Sequence, residues 1–246
     1  MSIGAVPWWK RLFVGAYQRF RPRTSSDINR EVDFVLRHLR IFPGGRFLDV
    51  GCGSGEHAIQ IAARGYDVTG IDIAPQLIWR AQKKGRGRRI RFRVCDMRRL
   101  DYFEKFDAVT SIFTSFGYFD DRENQVVLQG MRRALRKGGR LYLDIVNGDW
   151  LKTHLRKIVR MKRGNLILQR SERWDEENNR VLGKWIFKRK GRLEKRVEVA
   201  LRAYRRPEID RLLHENHFRI EAVFGDVDGT PFSLTSRRII VVATAI

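Results

Sequence analysis

Apolar side chains recur along this chain at two different periods, and the architecture is expected to change where the period does. Ile28, Val32, Val35, Leu36 and Leu39 fall three and four apart, the spacing of a helix with one buried stripe. Pro43, Gly44 and Gly45 stop that helix, and residues 46–50 read as a short buried strand. Helix and strand then alternate: helix 57–64, strand 67–71, helix 75–84, strands 90–94 and 107–112, helix 122–136 and strand 140–146. Near Trp150 the rhythm breaks. A basic, helix-like piece over 151–161 leads into three strands, 166–174, 181–188 and 193–204, joined by turn-like links. A helix over 207–216 with Pro207 in its first turn and two strands, 218–224 and 238–245, close the chain.

Strands separated by helices pack as a mostly parallel, doubly wound sheet. The expected class is therefore α/β, a seven-stranded Rossmann-like sheet with a three-stranded antiparallel insertion. The domains follow: an N-terminal helical lid over 1–45, a core over 46–149 and 205–246, and an insertion over 150–204 that lies above the acceptor site. The leading segment carries Trp8, Trp9, Phe13, Tyr17 and Phe20 among basic residues. It can close over a pocket with Tyr17 and Trp9 facing in, or pack as the apolar face of an ordinary helix.

At 246 residues and 43% hydrophobic the chain buries a real core, which excludes disorder as its main state. The charge is +22, and 38 of the 50 basic residues are Arg, a side chain suited to phosphate and acidic ligands but also a common compositional bias. Residues 150–206 hold nineteen basic against six acidic residues, a local +13, more than half of the total. Cys52 and Cys95 are the only cysteines, too few for a disulfide scaffold and consistent with a reducing compartment, so a cytoplasmic location is expected. No apolar run reaches membrane-helix length, and residues 1–11 lack the layout of a secretory signal. No membrane partner is expected; a monomer and a homodimer are both compatible with the pattern.

The chemistry concentrates in Asp49-Val50-Gly51-Cys52-Gly53-Ser54-Gly55, between a strand and a helix. Glycines there let a ligand approach the carboxyl edge of the sheet. A dinucleotide fingerprint needs a third glycine where Glu56 stands, and an acid beside a pyrophosphate is badly placed. Asp49 suits instead a ligand with an amino-acid head, whose ammonium an acidic loop can face. Asp72, ending the second strand, can accept from both ribose hydroxyls, with Ile73 beside it. Asp96, ending the third, can accept from an adenine amino group while Met97 packs on the ring, and Ile112 ends the fourth. Each acid alone is as well explained as a cap or a solvated carboxylate; the ordered row of three is not.

These residues resemble the class I S-adenosylmethionine-dependent methyltransferases over about 46–147. The resemblance implies S-adenosylmethionine as cofactor, with the loop at Asp49, Gly51, Cys52, Gly53 and Gly55 on its methionyl part, Asp72 on the ribose and Asp96 with Met97 on the adenine. The loop 114–119, the Arg136-Lys137-Gly138-Gly139 turn and the insertion resemble the small-molecule glycine and amino-sugar N-methyltransferases, with Tyr118 standing where those enzymes carry histidine. Tyr118 is then the candidate for orienting the acceptor, or a packed aromatic. Asn147 faces the same pocket or caps a turn. The implied acceptor is a small molecule, an amine or an acidic metabolite. Alternatives are an RNA methyltransferase using the basic insertion, although no base-stacking ladder or Asn-Pro-Pro-Tyr signature is present, and a non-catalytic S-adenosylmethionine-binding regulatory partner. His214 and His217 share a helical spacing but lack further ligands, so no metal is expected.

Overall fold

The computed structural model describes residues 7–13, 15–20 and 23–246. Its helices are α1 (Trp8–Leu12), α2 (Ser25–Leu39), α3 (Glu56–Ala63), α4 (Pro75–Lys84), α5 (Asp121–Ala134), α6 (Gly148–His154) and α7 (Arg206–Glu215). The strands are β1 (Arg46–Val50), β2 (Asp67–Asp72), β3 (Ile90–Val94), β4 (Phe106–Ser111), β5 (Leu135–Val146), β6 (Ile158–Arg163), β7 (Leu166–Asp175), β8 (Arg180–Arg189), β9 (Arg192–Arg202), β10 (Phe218–Phe224) and β11 (Arg238–Ala245).

Seven strands form one sheet in the order β10-β11-β5-β4-β1-β2-β3. The five from β5 to β3 run parallel, and β11 pairs antiparallel with β5 and β10. Period-two alternation sends successive residues to opposite faces. Phe47, Val68 and Tyr142 meet α2 and α3, through Val32, Val35, Leu39 and Ile61. Leu48, Val109 and Leu141 meet α5 and α7, through Val127, Leu128, Met131, Ile209 and Leu213. Helix α2 starts where the polar gap ends: Thr24 and Asp27 cap each other's backbone N–H in a reciprocal box.

The insertion has four strands, not three, in the order β6-β7-β8-β9, all antiparallel. The piece expected to be helical over 151–161 splits into the two-turn α6 and the edge strand β6. Its period-two signal is weak because only Val159 and Met161 point inward, while Ile158, Arg160 and Lys162 are exposed. An edge strand with basic outward residues resists pairing with other chains. The inner face of this sheet buries Leu166, Leu168, Trp185, Phe187, Val197 and Val199 against Leu12 and Phe20 of the N-terminal segment. That segment thus fills the space under the insertion. Among the described residues, no helix is long and apolar enough to cross a membrane.

Candidate functional site

The carboxyl ends of the parallel strands bring the sequence-predicted acids into one row. Asp49, 3% exposed at the end of β1, accepts a hydrogen bond from Thr110 Oγ1 at 2.9 Å. Burial pushes its carboxyl up to about 6, against the opposing pulls of His57 and Thr110. The chain then turns at Gly51 with φ of 76°, and the N–H groups of Gly51 and Cys52 both donate to the Ile71 carbonyl at 2.9 Å. A Cβ on Gly51 would lie 2.7 Å from Ser115 Cβ and 3.7 Å from Met97 Cε, so loops following β1, β3 and β4 converge on this glycine. Asp72 Oδ2 accepts from Gly53 N–H at 3.0 Å and Oδ1 from Ala74 N–H at 2.9 Å. Each oxygen keeps a lone pair for another donor. Burial raises this carboxyl as well, and Ile73 beside it is half-buried. Cys52 lies deep enough that burial pushes its thiol far up, which removes it as a nucleophile.

Asp96 caps the short turn Met97–Arg99 and holds a forked ion pair with Arg98, Nη2 to Oδ2 at 2.6 Å and Nε to Oδ1 at 3.1 Å. Burial alone would raise its carboxyl, but the Arg98 hydrogen bonds outweigh burial and hold it low. Arg98 reaches on to Glu123 at 2.5 Å, tying the turn to α5. Sequence reasoning missed Arg98; a guanidinium two residues after a carboxylate reaches it only because the chain turns tightly there. A second missed group backs the glycine loop. Glu31 of α2, 2% exposed, lies 2.8 Å from His57 Nε2 and pairs with Arg23. Burial pushes the His57 imidazole down, favouring its neutral form.

The loop after β4 is strained, since Phe113 and Thr114 both take positive φ, 60° and 56°. Asp144 fixes it by accepting from Phe113 N–H at 2.9 Å, and Ser115 Oγ donates to the Ile112 carbonyl at 3.0 Å. Ile112 itself is buried in the core. At Gly117, φ of 105° and a carbonyl 2.5 Å from where a Cβ would stand both demand glycine. That carbonyl is Arg202's, and Arg202 N–H donates back to the Gly117 oxygen at 2.8 Å. The buried Arg202 guanidinium pairs with Asp121 at 3.0 Å and Glu208 at 2.7 Å, locking the insertion's last strand to the loop.

Tyr118 stacks on Phe13 at 5.3 Å and meets Trp8 edge-on at 5.0 Å. Tyr17 packs edge-on against Phe13 and at a tilt against Trp185 of β8, while Trp9 sits edge-on to Phe119. The aromatic segment therefore bridges the β4 loop and the insertion. Asn147 is wholly buried and its polar atoms are committed: Nδ2 donates to the Leu234 and Ser236 carbonyls, and Oδ1 accepts from Asp149 N–H. It caps α6 and ties down the loop before β11. His214 and His217 are exposed, the latter beyond the end of α7. On the inner face of the insertion, Arg170, Glu172 and Trp174 alternate on β7. The Arg170 guanidinium lies 4.9 Å over the Trp185 ring, and Glu172 accepts from Trp185 Nε1 at 2.9 Å. Arg170 Nε and Trp174 Nε1 are buried with no partner among the described residues.

Comparison with known proteins matches residues 47–139 to the family described as "Methyltransferase domain". The glycine/sarcosine N-methyltransferase of Parasynechococcus marenigrum is 34% identical over 126 residues, 49% of this chain and 45% of that protein. Across the first curated relatives it matches, the chain spans about half of their length, 42% in one and 50% in another. The CcbJ methyltransferase structure from Streptomyces caelestis superposes with a TM-score of 0.82 at 15% identity, covering 97% of this chain and 98% of that one. The sugar N-methyltransferase KedS8 from Streptoalloteichus sp ATCC 53650 superposes with a TM-score of 0.70 at 22% identity, covering 99% and 98%. The architecture, insertion included, is that of this methyltransferase fold.

Proposed function

We propose that this chain, whose residues 47–139 are a methyltransferase domain, transfers the methyl group of S-adenosylmethionine to a small-molecule acceptor, an amine or an acidic metabolite. The observation that carries the reading is the row of Asp49, Asp72 and Asp96 at the ends of three adjacent strands, β1, β2 and β3, around a glycine loop. The set fits the cofactor group by group. Asp49 is a buried acid that a neighbouring ammonium would relieve, and Asp72 has one lone pair per oxygen left for a ribose diol. Asp96 keeps its ionised form beside the half-buried Met97, suited to an adenine amino group and ring. When bound, S-adenosylmethionine supplies a methyl carbon made electrophilic by its sulfonium.

The protein's part is then to hold an acceptor in line and keep water out. Tyr118, at the centre of the aromatic bridge, is positioned to orient the acceptor. Arg170 and Trp174 supply unspent buried donors, with Glu172 between them, on the sheet that we place over it. A neutral amine or an ionised acid needs little base help, which accommodates a tyrosine at 118. Free Cys52 and Cys95 fit a reducing cytoplasm. Incubation with methyl-labelled S-adenosylmethionine and a pool of small amines and carboxylic acids tests the proposal. Label should enter the small-molecule pool; label appearing only when total RNA is supplied would overturn it.

A further inference from the structure

The amino edge of the parallel sheet, opposite the site above, carries two grooves of about 480 Å3 and 240 Å3. The larger is lined by Arg46, Arg88, Arg89 and Arg91, the smaller by Arg40, Arg136 and Arg140, with Asp67 and Asp107 as the only acids. They adjoin through Gly44, Gly45 and Arg46. Asp67 is taken by Arg91 at 3.0 Å, and Asp107 by Arg136 at 2.7 Å with Arg46 at 3.9 Å; Arg140 bonds Thr244. Arg40, Arg88 and Arg89 are exposed and make no ion pair among the described residues. Phe42 lines the smaller groove at 85% exposure. It is not a frayed end: Tyr66 hydroxyl bonds the Ile41 carbonyl, and Gly45 N–H bonds the Phe42 carbonyl, both at 3.0 Å.

We infer that this edge binds single-stranded nucleic acid, its phosphates on the unpaired guanidiniums and a base stacked on Phe42. Arginine recognises phosphate in a fork, and an exposed aromatic inside a basic groove is how unpaired bases are held without sequence preference. From β5 to β3 the edge crosses four strand spacings, about 19 Å. That is the length of about six stacked nucleotides at roughly 3.4 Å each. The strand is a partner here rather than the methyl acceptor, because the row of Asp49, Asp72 and Asp96 lies at the other end of the same strands.

The test is fluorescence anisotropy of the full chain with a labelled oligouridine 12-mer across a salt series. Wild type should bind, and the paired change Arg88→Gln with Arg89→Gln should cut the slope of log affinity against log salt by about 1.4, roughly 0.7 per neutralised arginine. Phe42→Ala should weaken oligouridine between about fivefold and a hundredfold while leaving inorganic polyphosphate binding unchanged. Arg40→Gln provides a second groove variant should the pair fold poorly. Oligouridine binding that is absent in wild type, or that survives the groove variants but falls on Lys162→Gln with Lys188→Gln on the insertion, would overturn the assignment.

Discussion

Placing the S-adenosylmethionine ammonium on Asp49, as proposed, ties binding to a proton, and the size of the link follows from the burial of that carboxyl. The carboxyl rises from the ordinary 3.8 to about 6. A shift of just over two units corresponds to about 3 kcal/mol at roughly 1.36 kcal/mol per unit. Because the folded chain holds this proton more tightly than the unfolded chain does, the stabilisation is full below about pH 4 and is lost as pH rises through about 6. An ammonium placed against Asp49 reverses the burden, so binding should expel the proton. Titration calorimetry at pH 5 and 7, in buffers of different ionisation enthalpy, should show about 0.9 and 0.1 protons released and roughly tenfold weaker affinity at pH 5. Neighbouring His57, Asp72 and Glu56 can titrate too, so the control is Asp49→Asn, which retains an acceptor for Thr110. That variant should bind S-adenosylmethionine weakly with a flat pH profile. Free of ligand at pH 7, it should be more stable than wild type by up to about 3 kcal/mol, or about 6–12 °C in Tm. Wild-type affinity and proton release that do not change between pH 5 and 7 would refute the placement of the ammonium.

Asp72→Ala removes two hydrogen bonds to a charged acceptor, each about 1.5–3 kcal/mol, so calorimetry should find S-adenosylmethionine binding at least about 100-fold weaker; a change under threefold would mean that Asp72 does not hold the ribose. Arg202→Ala removes the side-chain bonds to Asp121 and Glu208 but leaves Glu208 its Arg205 partner and Gly117 its backbone bond, at about 1.5–3 kcal/mol, and calorimetric Tm should fall by about 3–12 °C. Arg202→Lys should recover part of that loss through one of the two acids. Arg170→Gln should raise KM for an acidic acceptor at least about tenfold while leaving calorimetric affinity for S-adenosylmethionine unchanged; an unchanged KM would exclude Arg170 from the acceptor site.

The core was legible because its information is local. Period-two strands, helical stripes and a glycine turn at residue 51 each declare themselves within a dozen residues, and the seven strands of the main sheet lie where the pattern puts them, except that β5 starts five residues earlier. Strand β6 escaped because an edge strand needs only one apolar face. Its two inward residues, Val159 and Met161, share the segment with five basic ones from Arg156 to Arg163. The end of α5 was read two residues too late because β5 starts at Leu135, where a parallel partner, Phe106, is supplied by a strand almost thirty residues away.

The site divides along the same line. The acids at 49, 72 and 96 follow from chain order in a parallel sheet, where every strand's carboxyl end reaches the same edge. What chain order does not give is which side chains are already spent. Asn147 is read from its place after β5 as pocket-facing or as a turn cap; it caps α6, and two carbonyls of a loop almost ninety residues later use both of its donors. Asp96 stands just past the end of β3, where chain order puts it, but the backbone N–H and forked side chain of Arg98 occupy most of its lone pairs. About one of four acceptor positions is left, enough for one hydrogen of an amino group and no more. Arg170, Glu172 and Trp174 were recoverable, since residues two apart on a strand share a face. With the insertion over the acceptor, as proposed, the buried donors Arg170 Nε and Trp174 Nε1 constrain an acceptor more than the +13 of the insertion does, because most of that charge is directed outward into solvent.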